Sequence, residues 1–347
     1  MWWKIASILL LAGVFLAGLL VPLYPGLQVD NPAVLVPGNT EAIELRGYNT
    51  FFTQSTDSTR VWLTFKNKYA LQATQVSATD NVTLLATFAV PAELPVTDNS
   101  MSLDVLVDDP LHGAMGLSSV ARIQPKAPLQ TANDSAWRVA EVRGLHKNTA
   151  FRYTILPNNY ESIRNLFFHV PMWMVMMVMF LLSVWHSVRY LRKPLQLADA
   201  RAQMYAEVGL LFGLLGLVTG MLWANYTWGA PWSNDIKQLM TVAALLIYVS
   251  YFILRSSFDE PEKGARIAAV YNIFAFATLI PLIYIVPRIF SSLHPGGEGN
   301  PVFNREDLNV NMRVVFYPAV LGWTLLALWV AQLRIRFKVL ENRLMDR

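Results

Sequence analysis

The sequence predicts an α-helical polytopic membrane protein with six transmembrane helices and an inserted all-β, sandwich-like extracytoplasmic domain between the first and second. Three observations lead there. Of its 347 residues, 54% are hydrophobic and only 15% charged, richer in apolar and poorer in charged residues than an ordinary soluble chain. The mean hydropathy of +0.34 arises in the long apolar runs at both ends, because residues 30–165 are polar. The basic residues behind the net charge of +4 cluster beside apolar segments, which marks them as topology signals and not as a nucleic-acid footprint.

The first apolar segment, Ile5 to Leu23, follows Trp2, Trp3 and Lys4 and has the length needed to cross a hydrocarbon core of roughly 30 Å. No small-x-small cleavage site precedes Pro22, Pro25 and Gly26, so residues 1–25 read as a retained anchor. From 30 to 165 the period changes. Arg60 to Lys66, Ser102 to Val105 and Trp137 to Val142 alternate apolar and polar side chains between clusters of Pro, Asn, Asp and Gly, the pattern of a small β-sandwich. His112 and His146 fall in loop-like contexts within it and read as solvated surface residues.

Residues 166–335 carry five further spans. The second runs from Phe167 to Val188, the third from Ala206 to Leu222, the fourth from Ile236 to Leu254, the fifth from Ile267 to Val286 and the last from Val314 to Leu333. Pro281 is expected to bend or loosen the fifth, and residues 336–347 are expected to form a cytoplasmic tail. Lys and Arg crowd the connections after the second, fourth and sixth spans, so those ends face the cytoplasm. Parity then puts the β domain, His169, Trp228 and His294 together on the outer side. Glu207, near the start of the third span, is expected to complement that helix's N-terminal dipole. Arg288, Arg305 and Arg313 are outer-face cations suited to lipid headgroups.

The connection from Trp223 to Lys237 holds Tyr226, Trp228, Gly229, Pro231, Trp232 and Asp235. An aromatic belt would account for some of these rings, but the polar end suits a flat ligand with apolar and charged parts. His169 opens the second span and His294 lies just beyond the fifth, so two imidazoles can approach one point from either side of the aromatic stretch. Neutral imidazole is a good axial ligand for haem iron, and tryptophan rings can stack on a porphyrin while excluding water. The absence of cysteine removes disulfides, thiol redox chemistry and thioether attachment of haem to this chain.

Trp228, Gly229, Trp232, Asp235 and Lys237 match, in order and spacing, a signature reading W-G-x-x-W-x-W-D with a basic residue two places on. His169-Val-Pro171 and Leu293-His294 match its two flanking histidine motifs. In these features the stretch from about 165 to 340, and in its count of six spans the whole chain, resembles the cytochrome c maturation protein C family (CcmC). Asn234 stands where that family usually has another tryptophan, and the β domain is an insertion relative to its compact members.

The resemblance implies haem delivery at the outer face of a bacterial cytoplasmic membrane. His169 and His294 would be the axial ligands, with Trp223, Trp228 and Trp232 as an apolar wall and Gly229 as the turn between them. Lys237 would meet a propionate of transiently bound haem b, and Asp235 would orient Lys237 or cap the fourth helix. Partners implied are a haem chaperone and the ABC-type ATPase and permease subunits of the same pathway. The chain shows no G-x-x-x-x-G-K-[ST] loop, so ATP hydrolysis would belong to that partner, and no catalytic site is evident. A bis-histidine membrane cytochrome b for electron transfer is the alternative reading.

Overall fold

The structure, a computed structural model, describes residues 1–96, 100–124, 132–133, 135–138, 142–155, 160–294 and 308–345. It divides into two compact units, Pro22–Pro157 and Met1–Val21 with Asn158–Arg347.

The first unit is the β domain. Its nine strands are β1 (Gly26–Gln28), β2 (Ala33–Leu35), β3 (Thr40–Tyr48), β4 (Arg60–Phe65), β5 (Tyr69–Gln72), β6 (Gln75–Ala78), β7 (Thr83–Ala89), β8 (Met101–Asp109) and β9 (Gly113–Ile123). They form a four-stranded sheet in the order β1-β3-β7-β6 and a five-stranded sheet in the order β2-β9-β8-β4-β5. In the antiparallel β3–β7 pair, Ile43 lies opposite Ala86 and Leu45 opposite Leu84. These four are buried and their chain neighbours are not, the period-two pattern of a sheet with one covered face. Val61, Leu63, Val105 and Val107 from the other sheet join the same core, which makes the unit a sandwich.

Two expectations change here. Trp137 and Arg138 are not in a strand, although Trp137 is buried in this core; residues 139–141 lie outside the described part. His112 is buried, not solvated: its Nδ1 bonds Asp109 at 2.7 Å and its Nε2 accepts from the Phe51 amide at 3.0 Å. With both ring nitrogens engaged, it holds a turn and has no free lone pair for a metal. His146 is half-exposed and bonds the buried Asp108.

The second unit contains α1 (Trp2–Leu20), α2 (Leu166–Arg192), α3 (Gln196–Trp228), α4 (Ile236–Ser256), α5 (Pro261–Ile280), α6 (Val286–Ile289) and α7 (Val310–Met345). Among the described residues, six helical stretches are long and apolar enough to cross a membrane. Pro281 does loosen the fifth, because a π-helical turn over Pro281–Ile285 joins α5 to α6, as expected where a ring removes a backbone donor. The first span packs on the last: the Ser7 hydroxyl donates to the Gly322 carbonyl at 3.1 Å. Arg164, just before α2, donates to the Gly18 and Val21 carbonyls at 3.0 and 2.6 Å, satisfying acceptors that the end of α1 leaves open.

Several helix boundaries differ from the sequence reading. The third helix begins at Gln196 and runs to Trp228, so Trp223, Tyr226 and Trp228 are helical and the true connection is only Gly229–Asp235. Glu207 is therefore well inside α3, where it pairs with Arg334 at 2.5 Å; the acidic residue of the first turn is Asp199, which pairs with Arg255 of α4. The expected cytoplasmic tail is a continuation of α7 as far as Met345, since Lys, Arg, Glu and Leu are all good helix formers.

A glycine ridge sets the distance between α2 and α3. A Cβ at Gly209 would stand 2.6 Å from the Phe180 ring, one at Gly213 would stand 2.9 Å from Met176 and 2.5 Å from Leu245 of α4, and one at Gly216 would stand 2.8 Å from Trp173. Spaced four apart in two pairs with Gly220, these residues let the helix backbones approach closely. Gly213→Leu is expected to destabilise the bundle by about 1–3 kcal/mol through overpacking, read as a lowered thermal midpoint in detergent; an unchanged midpoint would refute the close packing.

Candidate functional site

The ridge ends at the first candidate ligand. His169 lies in the first turns of α2 and crosses α3 at Gly220, where a Cβ would come within 2.7 Å of its Cε1. Its Nδ1 faces the Gly216 carbonyl at 3.0 Å and the Thr219 hydroxyl at 3.1 Å. Thr219 spends its own proton on the Leu215 carbonyl at 2.8 Å. A carbonyl oxygen can only accept, so the imidazole carries its proton on Nδ1 and keeps its lone pair on Nε2.

The second imidazole is held the same way by a different acceptor. Asp235 caps α4 by accepting from the Lys237 amide at 2.9 Å. The same carboxylate accepts from the Leu293 amide at 2.7 Å, the Ser292 hydroxyl at 3.1 Å and His294 Nδ1 at 2.9 Å. Asp235 thus orients His294, and it bonds the backbone of Lys237. Burial alone would raise its carboxyl, but the Leu293 and Lys237 amides and His294 outweigh burial and hold it below the ordinary carboxylate range. Burial, set against the attraction of Asp235 and reinforced by the Lys237 ammonium, pushes the His294 imidazole from 6.5 down to about 4. At neutral pH the ring is uncharged, with its Nε2 lone pair available.

Trp223 and Trp228 flank that ring. Their own centroids are 5.0 Å apart, and His294 lies 5.6 Å from Trp223 and 4.7 Å from Trp228, edge-on to the latter. Gly229 ends α3 in the left-handed region at φ 78°, a conformation that suits glycine at a helix C-terminus. Trp232 sits differently from the other two: its indole donates to the Asn234 side chain at 2.7 Å. Asn234 has φ 55°, a left-handed position that asparagine tolerates far better than a bulky ring. Arg305 and the glycines after His294 lie outside the described residues.

His169, His294 and Lys237 line one cavity of about 230 Å³, with Trp173, Gln238 and Tyr284 among its other walls. Gly220, Thr219, Trp173 and Gln238 are components that the sequence reading passed over. The four-residue glycine spacing on α3 was their one visible signal. Gln238 ties the connection together by donating to the Pro231 carbonyl at 3.2 Å and accepting from the Ser233 amide at 3.0 Å. Among the described residues no three His, Cys, Asp or Glu side chains gather as a metal-binding group. Two imidazoles suit a metal that brings its other donors with it, as in a planar chelate.

A family model described as "Heme exporter protein C" (CcmC) matches residues 135–347. Similar proteins include heme exporter protein C of Bradyrhizobium diazoefficiens, 29% identical over 47% of this chain and 63% of the relative. Another is heme exporter protein C of Haemophilus influenzae, 26% identical over 40% of this chain and 55% of the relative. The chain thus spans less than two thirds of the length of either. A shorter stretch, 19% of this chain and 22% of the relative, is 41% identical to cytochrome c biogenesis protein CcsA of Thermosynechococcus vestitus. Most of the β domain precedes the matched region.

The depressed His294 imidazole makes a pH prediction. Unfolding lets it bind a proton at its ordinary 6.5, so its contribution to stability is complete above that value and is lost as pH falls toward about 4. Melting midpoints at pH 7 and 5 are expected to differ less in His294→Gln than in the wild type; equal differences would contradict the partly buried, neutral ring.

Proposed function

The chain belongs to the CcmC family, and on that premise we propose that it binds haem b and presents it for cytochrome c maturation at the outer face of a bacterial cytoplasmic membrane. The observation that carries this reading is the pair of imidazoles on one cavity, each with Nδ1 committed to an oxygen acceptor. Outer-shell acceptors of this kind fix the tautomer and raise the basicity of the nitrogen that meets the metal. Two such axial ligands saturate the iron and suit carriage of haem without oxygen activation.

Trp223 and Trp228 form the apolar wall behind His294, while Trp232 bonds Asn234 in the connection that follows Gly229. Lys237, which lines the cavity, supplies the ammonium for a propionate. Asp235 is a positioning residue acting through His294. A cavity of about 230 Å³ is smaller than the roughly 300–1,000 Å³ of sites that engulf their ligands. A guest the size of haem is accordingly gripped along part of its edge and left accessible to a haem chaperone. His294 stands on a segment anchored to α4 by one carboxylate, so loosening those bonds offers a route for release. ABC-type ATPase and permease subunits of the same pathway supply the energy and the protein contacts around this step. The placement of His294 outside the helices favours this reading over an electron-transferring cytochrome b.

His169→Ala and His294→Ala are each expected to lose more than about tenfold in haem retention on purification and to fail in loading the chaperone. Trp228→Ala combined with Trp232→Ala is expected to slow loading while the bundle stays folded. Either histidine variant retaining haem and loading at wild-type levels would refute the ligand assignment.

A further inference from the structure

A second, larger cavity lies at the other end of the same helices. His186 lines it, seventeen residues along α2 from His169 and so about 26 Å away along the helix axis. The cavity measures about 710 Å³ and is walled by Trp3 of α1, Arg201 and Tyr205 of α3, and Leu328, Arg336 and Arg343 of α7.

Its chemistry differs from that of the first site. Among the described residues, Arg201, Arg336 and Arg343 form no ion pair with a carboxylate, whereas their neighbours Arg334 and Lys338 are paired with Glu207 and Glu341. Three guanidinium groups around one apolar crevice leave a concentrated positive field that no carboxylate among the described residues pairs with. His186 is 8% exposed and its ring stacks on Tyr205 at 5.6 Å. Its Nδ1 is buried and, among the described residues, takes no hydrogen bond, unlike the Nδ1 atoms of His169 and His294. Binding iron through Nε2 would leave an Nδ1–H donor buried without an acceptor, which is costly. The cheaper tautomer places the proton on Nε2, where it can donate to an anionic oxygen.

We propose that this cavity is a binding site for one anionic phospholipid. The phosphate sits among Arg201, Arg336 and Arg343 with His186 Nε2–H as a further donor, and an acyl chain lies along the Leu328 side of the crevice. Because α1, α3 and α7 all contribute walls, the lipid joins the first helix to the long last one. Basic pockets between membrane helices suit such headgroups. The inference is independent of the haem reading.

The test uses the full chain in mild detergent, with phosphatidylglycerol, phosphatidylcholine and inorganic phosphate as separate probes. Bound lipid is counted by native mass spectrometry and stability by thermal midpoint. One phosphatidylglycerol per chain is expected to bind and raise the midpoint, phosphatidylcholine and phosphate having little effect. Loss of two guanidinium charges in Arg201→Gln with Arg336→Gln is expected to weaken phosphatidylglycerol binding by about thirtyfold. Arg192→Gln, which removes an exposed charge at the end of α2 that does not line the cavity, is expected to leave binding intact. Equal binding of both lipids, or unchanged binding in the double variant, would overturn the proposal. Stabilisation by inorganic phosphate alone would reassign the site to a free anion. A haem absorption band that persists in His169→Ala with His294→Ala and vanishes with His186→Leu would reassign it to haem. If the double variant does not fold, the comparison of the three probes on the wild type decides.

Discussion

The close approach of α2 and α3 is the constraint from which the candidate site follows. Membrane helices gain little from the hydrophobic effect when they associate, so packing and hydrogen bonds decide which faces meet. Gly209, Gly213, Gly216 and Gly220 leave room along α3 for Phe180, Met176, Trp173 and His169 in turn. The last of these contacts places the His169 ring against the Gly216 carbonyl, which selects its tautomer. The same helix then continues for two turns and ends in Trp223 and Trp228, the rings that enclose His294. One helix thereby positions one imidazole through its backbone and the other through its side chains.

Asp235 supplies the complementary constraint. It is the N-cap of α4, and it gathers the amide of Leu293, the hydroxyl of Ser292 and the ring of His294 onto a carboxylate whose side chain is 1% exposed. Burying an acid without donors would be prohibitive; with four donors the group stays ionised and organises two segments at once. The position of His294 is therefore fixed by the start of a helix that lies 59 residues earlier in the chain.

Much of the membrane fold was legible because apolar length and flanking charge are local properties. The six spans and the shared side of His169, Trp228 and His294 needed only hydropathy and parity. Helix ends were less legible, because Trp223 to Trp228 is as compatible with a helix as with a loop until Gly229 supplies the left-handed stop. The extension of α7 was hidden for a related reason: charge marks the edge of a bilayer, yet it does not end a helix. What could not be read were pairings between distant residues. The burial of His112 depends on Asp109 and Phe51 meeting it across a turn, and the role of Asp235 depends on a segment beyond the fifth span. Asn234 was legible only as a departure from the family signature, and its positive φ gives that departure a backbone reason.

The account rests on both imidazoles meeting one iron through Nε2. Electron paramagnetic resonance of the ferric, haem-loaded protein tests this most directly. The account predicts a low-spin bis-imidazole spectrum in the wild type that turns high-spin when either His169 or His294 is replaced. A low-spin bis-imidazole spectrum that survived in either variant would contradict it.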